Sequence, residues 1–346
     1  MEKPHRMRLR PQMGRGRLLT AVFAAVLLAA AGLCAAENRP RPPGSQGREI
    51  ETWSFHTRIN GPHQTAPLHL GMFFVSGRLY FFKGHLTHVF WLKEAYGHES
   101  QVLMPPFKSV SHDRTQLNET FDGSTIKYSE KTGAIRVNAD FSGIRARLTF
   151  QPEKPKVMFN QIFDKNQDNR IFDWYLLPRM QVKADISGQF DLKATGEGHF
   201  QHFWGDDVIE GGDFLMVHMD SGYDLIVSNV DTVAAEKPFM TSGYILVAPP
   251  EGERRVIREF SYTPGRWWQS GDTEKKYPVK VTVKSGDEAV CLDISAMRDD
   301  QAAMMVNVEK WFGYGVVEGT IDGVPMSGWA FMSMQAADDQ AVTAEK

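Results

Sequence analysis

Cysteine is scarce: the 346 residues hold two, Cys34 and Cys291. Cys34 falls within an N-terminal leader, so a processed chain would keep Cys291 alone and could form no internal disulfide. Such a fold is held by burial, not by cross-links. Catalytic signatures are equally sparse. No Ser/His/Asp order, phosphate-binding loop or dinucleotide-type glycine pattern is present, which removes hydrolase, kinase and nucleotide-dependent readings. Helical signals are thin as well. Only Arg298 to Phe312 could carry a turn or two, and there Ala302, Met305, Val306 and Glu309 form no clean apolar stripe. No low-complexity linker divides the chain.

The one long apolar run is Leu18 to Leu33, preceded by Lys3, Arg6, Arg8, Arg10, Arg15 and Arg17. A basic segment followed by an apolar one reads as an export signal. Cys34 and Ala36 supply the small residues that cleavage after Ala36 requires, so residues 1–36 are expected to be a signal peptide and the product periplasmic or secreted. An alternative keeps the segment as a membrane anchor, for which its length barely suffices. Leu33 before Cys34 argues against lipid attachment. Cleavage would remove six basic residues and one acidic one, taking the formal charge from −3 to −8. An acidic chain is a poor partner for nucleic acid or for an anionic membrane surface. It could lie near a membrane without a retained transmembrane helix.

Residues 37–48 are polar, Pro-rich and aperiodic, as expected of a disordered spacer. Period-two alternation follows. Ile144, Ala146, Leu148 and Phe150 alternate with Arg145, Arg147 and Thr149, and Val279, Val281 and Val283 with Lys280, Thr282 and Lys284. Residues 190–195 and 289–294 repeat the pattern, and each such run is a strand with one wet face. Turn pairs such as Asp122-Gly123, Thr132-Gly133, Ser187-Gly188, Ser285-Gly286 and Asp322-Gly323 fall between strands. The expected fold is all-β. Roughly 15 to 20 strands exceed one eight-stranded barrel, so two antiparallel β-barrel or sandwich domains are expected, at 49–205 and 206–336, with a tail at 337–346. Their shared cleft is a candidate binding site. The 22 Phe, 8 Trp and 16 Met are ample to fill such cores. Adjacent aromatic pairs, Phe73-Phe74, Tyr80-Phe81-Phe82, Phe90-Trp91, Phe203-Trp204 and Trp267-Trp268, put one ring on each side of a sheet.

Two histidine pairs, His85/His88 and His199/His202, have three-residue spacing. On a strand such residues face opposite ways, so they read as structural or pocket histidines and no metal is expected. Asp164 to Tyr175 resembles half of a calcium loop but carries Tyr175 where a bidentate Glu is needed, and reads as a polar hairpin turn between 157–163 and 171–177.

Four segments carry a family resemblance: Glu51-Thr52-Trp53-Ser54-Phe55; Trp174-Tyr175-Leu176-Leu177-Pro178; Gly196-Glu197-Gly198-His199-Phe200-Gln201-His202-Phe203-Trp204-Gly205; and Gly328-Trp329. Together they resemble the lipocalin-like family that includes carotenoid 1,2-hydratase, AttH-type bacterial proteins and fungal Diels–Alderases. The resemblance implies two lipocalin-like domains, an aromatic-lined pocket for a large apolar molecule, and no organic cofactor. In hydratase members the third segment is similar to Gly-x-Gly-Tyr-x-Asp-His, whose Asp protonates an isoprenoid double bond. Here His199 stands at the Tyr position and Gln201 at the Asp position, while Trp174 and His202 match their counterparts. A neutral amide cannot donate that proton.

Two functions therefore stand. The first is an exported protein that binds an apolar ligand, isoprenoid or lipid-like, in an aromatic-lined β pocket. The alternative is a cofactor-independent hydratase, isomerase or cyclase that protonates a double bond of a carotenoid-like polyene. His199, Gln201 and Asp206 are the candidate catalytic residues, and Trp174, Tyr175, His202, Trp204 and Trp329 the candidate ligand contacts. Alternation sets His199, Gln201 and Phe203 on one face and Phe200, His202 and Trp204 on the other. His199, Gln201 and Trp174 accordingly rank first.

Overall fold

The computed structural model describes residues 50–79, 82–93, 97–103, 117–121, 123–129, 131–141, 143–158, 172–188, 191–205, 212–229, 243–305 and 308–337. The leader, the spacer, Asp206, the polar turn of the calcium-like segment and most of the tail lie outside them. All regular structure among the described residues is β.

The first sheet holds β1 (Ile50–Asn60), β2 (Leu68–Leu79), β3 (Phe82–Lys93), β4 (Gly97–Leu103), β5 (Asn118–Phe121), β6 (Ser124–Tyr128), β7 (Ile135–Phe141), β8 (Ile144–Pro152), β9 (Val157–Met158), β10 (Phe172–Gly188) and β11 (Leu192–Gly205). Its order is β4-β3-β2-β1-β11-β10-β8-β7-β6-β5, with β9 on β10. The second holds β12 (Asp213–Met219), β13 (Asp224–Asn229), β14 (Tyr244–Ala248), β15 (Arg255–Ile257), β16 (Phe260–Gln269), β17 (Lys276–Ser285), β18 (Val290–Ala296), β19 (Ala302–Met305), β20 (Val308–Ile321) and β21 (Val324–Met334). It runs β15-β14-β13-β12-β21-β20-β18-β17-β16, with β19 on β20. Every pairing is antiparallel.

Each sheet curls into a lipocalin-like half-barrel. Curling brings Phe74 of β2 within 5.3 Å of Phe121 of β5, and Trp91 of β3 within 6.3 Å of Phe141 of β7, although these strands are far apart in the sheet order. Alternation does the rest. β7 and β8 bury Ile135, Val137, Ala139, Ile144, Ala146, Leu148 and Phe150 and leave their charged neighbours in water. The Asp322-Gly323 turn between β20 and β21 has φ of 52° and 76°, the paired left-handed conformation of a tight hairpin, and the asparagine-like side chain of Asp322 and the bare Gly323 both accept it. The turn or two of helix that Arg298 to Phe312 could have carried does not form among the described residues. Ala302–Met305 pairs with Val308–Trp311 as strands, because the bonding partner on β20 outweighs weak local helix preference.

Three cores form among the described residues. One fills the first half-barrel, with Trp53, Phe55, Phe150 and Phe200, and another the second, with Tyr277, Trp311, Val281 and Met332. The third lies between the sheets and draws on both: Phe73, Phe90, Trp174 and Leu176 from the first, Met216, Tyr244, Tyr314, Trp329 and Phe331 from the second. Three of the aromatic pairs split as expected, and Tyr80-Phe81-Phe82 lies outside the described side chains. Phe73, Phe90 and Phe203 face the inter-sheet core while Phe74, Trp91 and Trp204 face the barrel interior.

Candidate functional site

β1 pairs with β11 in register along the whole of β1, so His56 lies opposite His199 and Ser54 opposite Gln201. All four face the second sheet. β10 flanks β11 with Leu176 opposite Gln201 and Trp174 opposite Phe203. A bulge then shifts the register between Leu177 and Met180. Pro178, which has no N–H to give to the ladder, sits in that bulge, and the extra residue turns Arg179 toward the second sheet.

Opposite this face stand His218 on β12, its cross-strand partners Asp224 on β13 and Trp329 on β21, and Tyr314 and Phe331, which pair on β20 and β21. The two sheets meet in a hydrogen-bonded chain. Asp224 Oδ1 accepts from His218 Nδ1 at 2.7 Å, and His218 Nε2 lies 2.9 Å from His199 Nδ1. Arg179 Nε is 3.1 Å from both Asp224 oxygens, and Lys154 Nζ is 2.7 Å from Oδ2. Arg179 also donates to Glu197 at 2.5 Å, and Glu197 accepts from Trp329 Nε1 at 2.7 Å, which closes a polar ring around the chain.

Five rings run in sequence through the centre with near-parallel neighbours. Phe331, His56, His199, His218 and Trp329 have successive centroid separations of 3.7, 4.8, 5.1 and 4.4 Å. His56 Nδ1 makes a long 3.4 Å contact with the Tyr314 hydroxyl. His69 on β2 sits against Tyr314 and Trp329.

Burial sets the protonation states. Desolvation, then the neighbouring imidazoles, hold His56 and His199 well below the usual histidine range. Desolvation with Arg58 pushes His69 down to about 3. Burial opposes ionisation of Asp224 too, but the hydrogen bond from His218 and the charge and hydrogen bonds of Arg179 outweigh it and keep the carboxyl below its usual range. Desolvation raises the Tyr314 phenol well above its ordinary value, so it stays protonated. The site thus combines one fixed carboxylate with three imidazoles, His56, His69 and His199, that burial keeps neutral.

Several polar atoms on this face have no hydrogen-bond partner among the described residues: Nε2 of His56, His69 and His199, Oε1 of Gln201 and Oγ of Ser54. Each such atom costs about 1–3 kcal/mol when buried, so their clustering between the sheets calls for a reason beyond packing. Among the described residues no group of three or more His, Cys, Asp and Glu is arranged to hold a metal ion.

The expected site residues divide. His199, Gln201, Trp174 and Trp329 share the inter-sheet face. Tyr175, His202 and Trp204 project into the first half-barrel, where His202 stacks on Trp53 at 4.9 Å and reaches Glu51 at 3.4 Å. They do not line one cavity with Gln201, and strand alternation is the reason. Asp206 lies outside the described residues. His56, His218, Asp224, Arg179, Glu197 and Tyr314 were missed by sequence reasoning. His218 did carry a signal: it is a titratable residue directly after Phe214-Leu215-Met216-Val217, on a strand buried along nearly its whole length.

The fold has solved relatives. The AttH protein of Nitrosomonas europaea superposes with a TM-score of 0.69 at 20% identity, covering 87% of this chain and 97% of that one. Kievitone hydratase from Nectria haematococca gives 0.67 at 11% identity, with 88% and 96% covered. CghA in complex with Sch210972 gives 0.57 at 13%, with 91% and 97% covered. At these identities the likeness is one of fold. No curated protein matches the chain. A family model described as AttH-like matches residues 55–337, and the chain belongs to that family.

Proposed function

We propose that this protein is a proton-transfer enzyme of the lyase, isomerase or cyclase kind, acting on a largely apolar substrate held between its two sheets. The observation that carries the reading is the Asp224–His218–His199 chain, which ends at a buried His199 Nε2 with no partner among the described residues. A carboxylate that orients one imidazole, which orients a second, is the arrangement by which proteins hold a base in a fixed tautomer. Aromatic walls from Phe73, Phe90, Trp174, Phe312 and Phe331 suit an apolar skeleton, and the orphaned polar atoms suit a few polar groups upon it. The fold likeness to a protein named as a hydratase supports the same class.

His56 and His199 are fully buried. Substrate access therefore requires the inter-sheet side chains to part, beginning with Phe331, which covers His56 at 3.7 Å. Export to the periplasm or beyond, through the leader at 1–36, completes the proposal and is checked by sequencing the N-terminus of the mature protein. The enzyme reading is tested in D2O buffer with a panel of apolar unsaturated compounds. Deuterium should enter a panel member with the wild type and not with His199→Ala; no incorporation by the wild type into any member rejects it.

A second reading, a carrier of an apolar ligand, draws on Gln201, which cannot act as the acid of the hydratase motif. Extraction and mass spectrometry of the purified protein would then recover a bound apolar molecule that is returned unchanged.

A further inference from the structure

The orientation of the relay decides which way the proton moves first. Asp224, gripped by Arg179 and Lys154, is a carboxylate and only accepts hydrogen bonds. His218 must then carry its proton on Nδ1, 2.7 Å away. With His218 uncharged at rest, as the proposal below requires, its other nitrogen, Nε2, has a lone pair and accepts. His199 Nδ1, at 2.9 Å, then donates to it. The remaining nitrogen of a neutral His199 is Nε2, which consequently holds a lone pair and no proton. It is the atom left without a partner.

The neighbouring ring is set the other way. A phenol is a better donor than a neutral imidazole N–H, and imidazole nitrogen the better acceptor, so Tyr314 donates to His56 Nδ1 across their 3.4 Å contact. His56 then carries its proton on Nε2. The two stacked rings, 4.8 Å apart, present a lone pair on one and an N–H on the other.

We propose that His199 acts first as a base, and that the substrate is an apolar molecule with an enolisable or conjugated carbonyl group and not a plain isoprenoid polyene. This rests on the proton-transfer reading above. A lone pair cannot start a reaction at an unactivated double bond, which needs a strong acid. It can take a proton from carbon where the electron pair left behind is delocalised onto oxygen. In that step the C–H bond alpha or gamma to the carbonyl breaks, an N–H bond forms at His199 Nε2, and the pair moves to the carbonyl oxygen as an enolate. His56 Nε2–H is the donor for that oxygen. The Nδ1 proton of His199 passes to His218 Nε2, so the positive charge rests on His218, between the Asp224 carboxylate and the Trp329 face at 4.4 Å.

His199 Nε2–H then returns the proton while His218 Nε2 gives its own back to His199 Nδ1, so both rings end neutral as they began. Delivered to a different carbon of the enolate, it gives a shifted double bond. Delivered to a hydroxyl leaving the beta carbon, it gives water and an unsaturated carbonyl, and the reverse of that is hydration. Atoms and charge balance in both cases without oxidant or reductant. Gln201 fits this chemistry better than the hydratase acid would. It lies on the same face as His199 and brings no ionisable proton beside the base.

The test compares two matched probe series in D2O buffer: apolar conjugated ketones of graded chain length with a gamma C–H, and hydrocarbon polyenes of the same skeletons. Deuterium incorporation is read by mass spectrometry. The wild type should label a ketone and leave the hydrocarbons unlabelled, with the ketone rate falling about 100-fold or more in His199→Ala. Labelling of a hydrocarbon but no ketone would overturn the carbonyl class and leave the proton-transfer reading standing. Labelling of neither would overturn both. The wild-type comparison decides the substrate class even if the variant fails to fold.

Discussion

His199 on β11 and His218 on β12 share a 2.9 Å hydrogen bond, although one belongs to each sheet. The relay therefore exists only when the two half-barrels are docked, and the same contacts that dock them set its geometry.

Cutting the relay while keeping its stack should separate chemistry from binding. In His218→Phe a ring still fills the place between His199 and Trp329, but nothing accepts from His199 Nδ1. Steady-state kinetics on whichever probe the wild type turns over should show kcat down by about 100-fold, with KM changed much less.

Arg179 anchors the docking. Its guanidinium bonds Asp224, Glu197 and the carbonyls of Met219 and Tyr223. Arg179→Met leaves the Asp224 carboxylate buried with Lys154 as its main counter-charge, and should cost about 3 kcal/mol in urea denaturation. The double variant Arg179→Met/Asp224→Leu should recover part of that loss, because the stranded charge is gone.

Acid should weaken the fold well before carboxylates titrate. Unfolded histidines take up a proton near 6.5, whereas folded His69 does so only near 3, and His56 and His199 are also shifted far down. Between those values the unfolded chain holds more protons, so the stabilisation is complete above pH 6.5 and is lost as pH falls. His69 alone should contribute about 2 kcal/mol of loss between pH 6.5 and pH 5. Asp213, pushed up to about 6 by burial, works in the opposite sense but is one group against three. Asp224, whose folded value is depressed, adds a further loss below about pH 4. Urea midpoints measured from pH 8 to pH 4 check the trend, and His69→Phe should flatten it.

Gln201→Asp should reverse that dependence locally. Position 201 is about 1% exposed, so desolvation raises the new carboxyl above its unfolded value. Its share of stability is then present at low pH and lost as pH rises through the folded value. The variant minus wild-type difference in urea stability should be larger at pH 8 than at pH 5.

At Gly71 an aromatic ring occupies the space a side chain would take. A methyl group there would lie 2.2 Å from the Phe90 ring, which is fully buried and packs against His56 and Tyr314. Gly71→Ala should cost about 1–3 kcal/mol and displace Phe90 toward the histidines. Thermal melting together with the aromatic-region NMR spectrum would report it.

Much of the architecture was legible in the chain itself. The Ile144–Phe150 and Val279–Val283 alternations, and dipeptides such as Asp322-Gly323, depend only on side-chain period and local backbone preference, and they specify an all-β fold wherever they occur. The same period predicted that His199 and Gln201 would part from His202 and Trp204, and they do. The third strand segment of the family resemblance likewise reads directly from residues 196–205.

What the chain could not disclose is which residues meet across the inter-sheet face. His56 and His199 are 143 positions apart, and His199 finds its proton partner on the other half-barrel. Nothing local to Asp224 or His218 says that Arg179 will reach them, because its direction is set by a bulge at Pro178 that alternation does not encode. Strand period tells each side chain which face it takes. Only the docking of two curled sheets decides what that face touches, and burial there turns ordinary histidines into neutral, aligned ones.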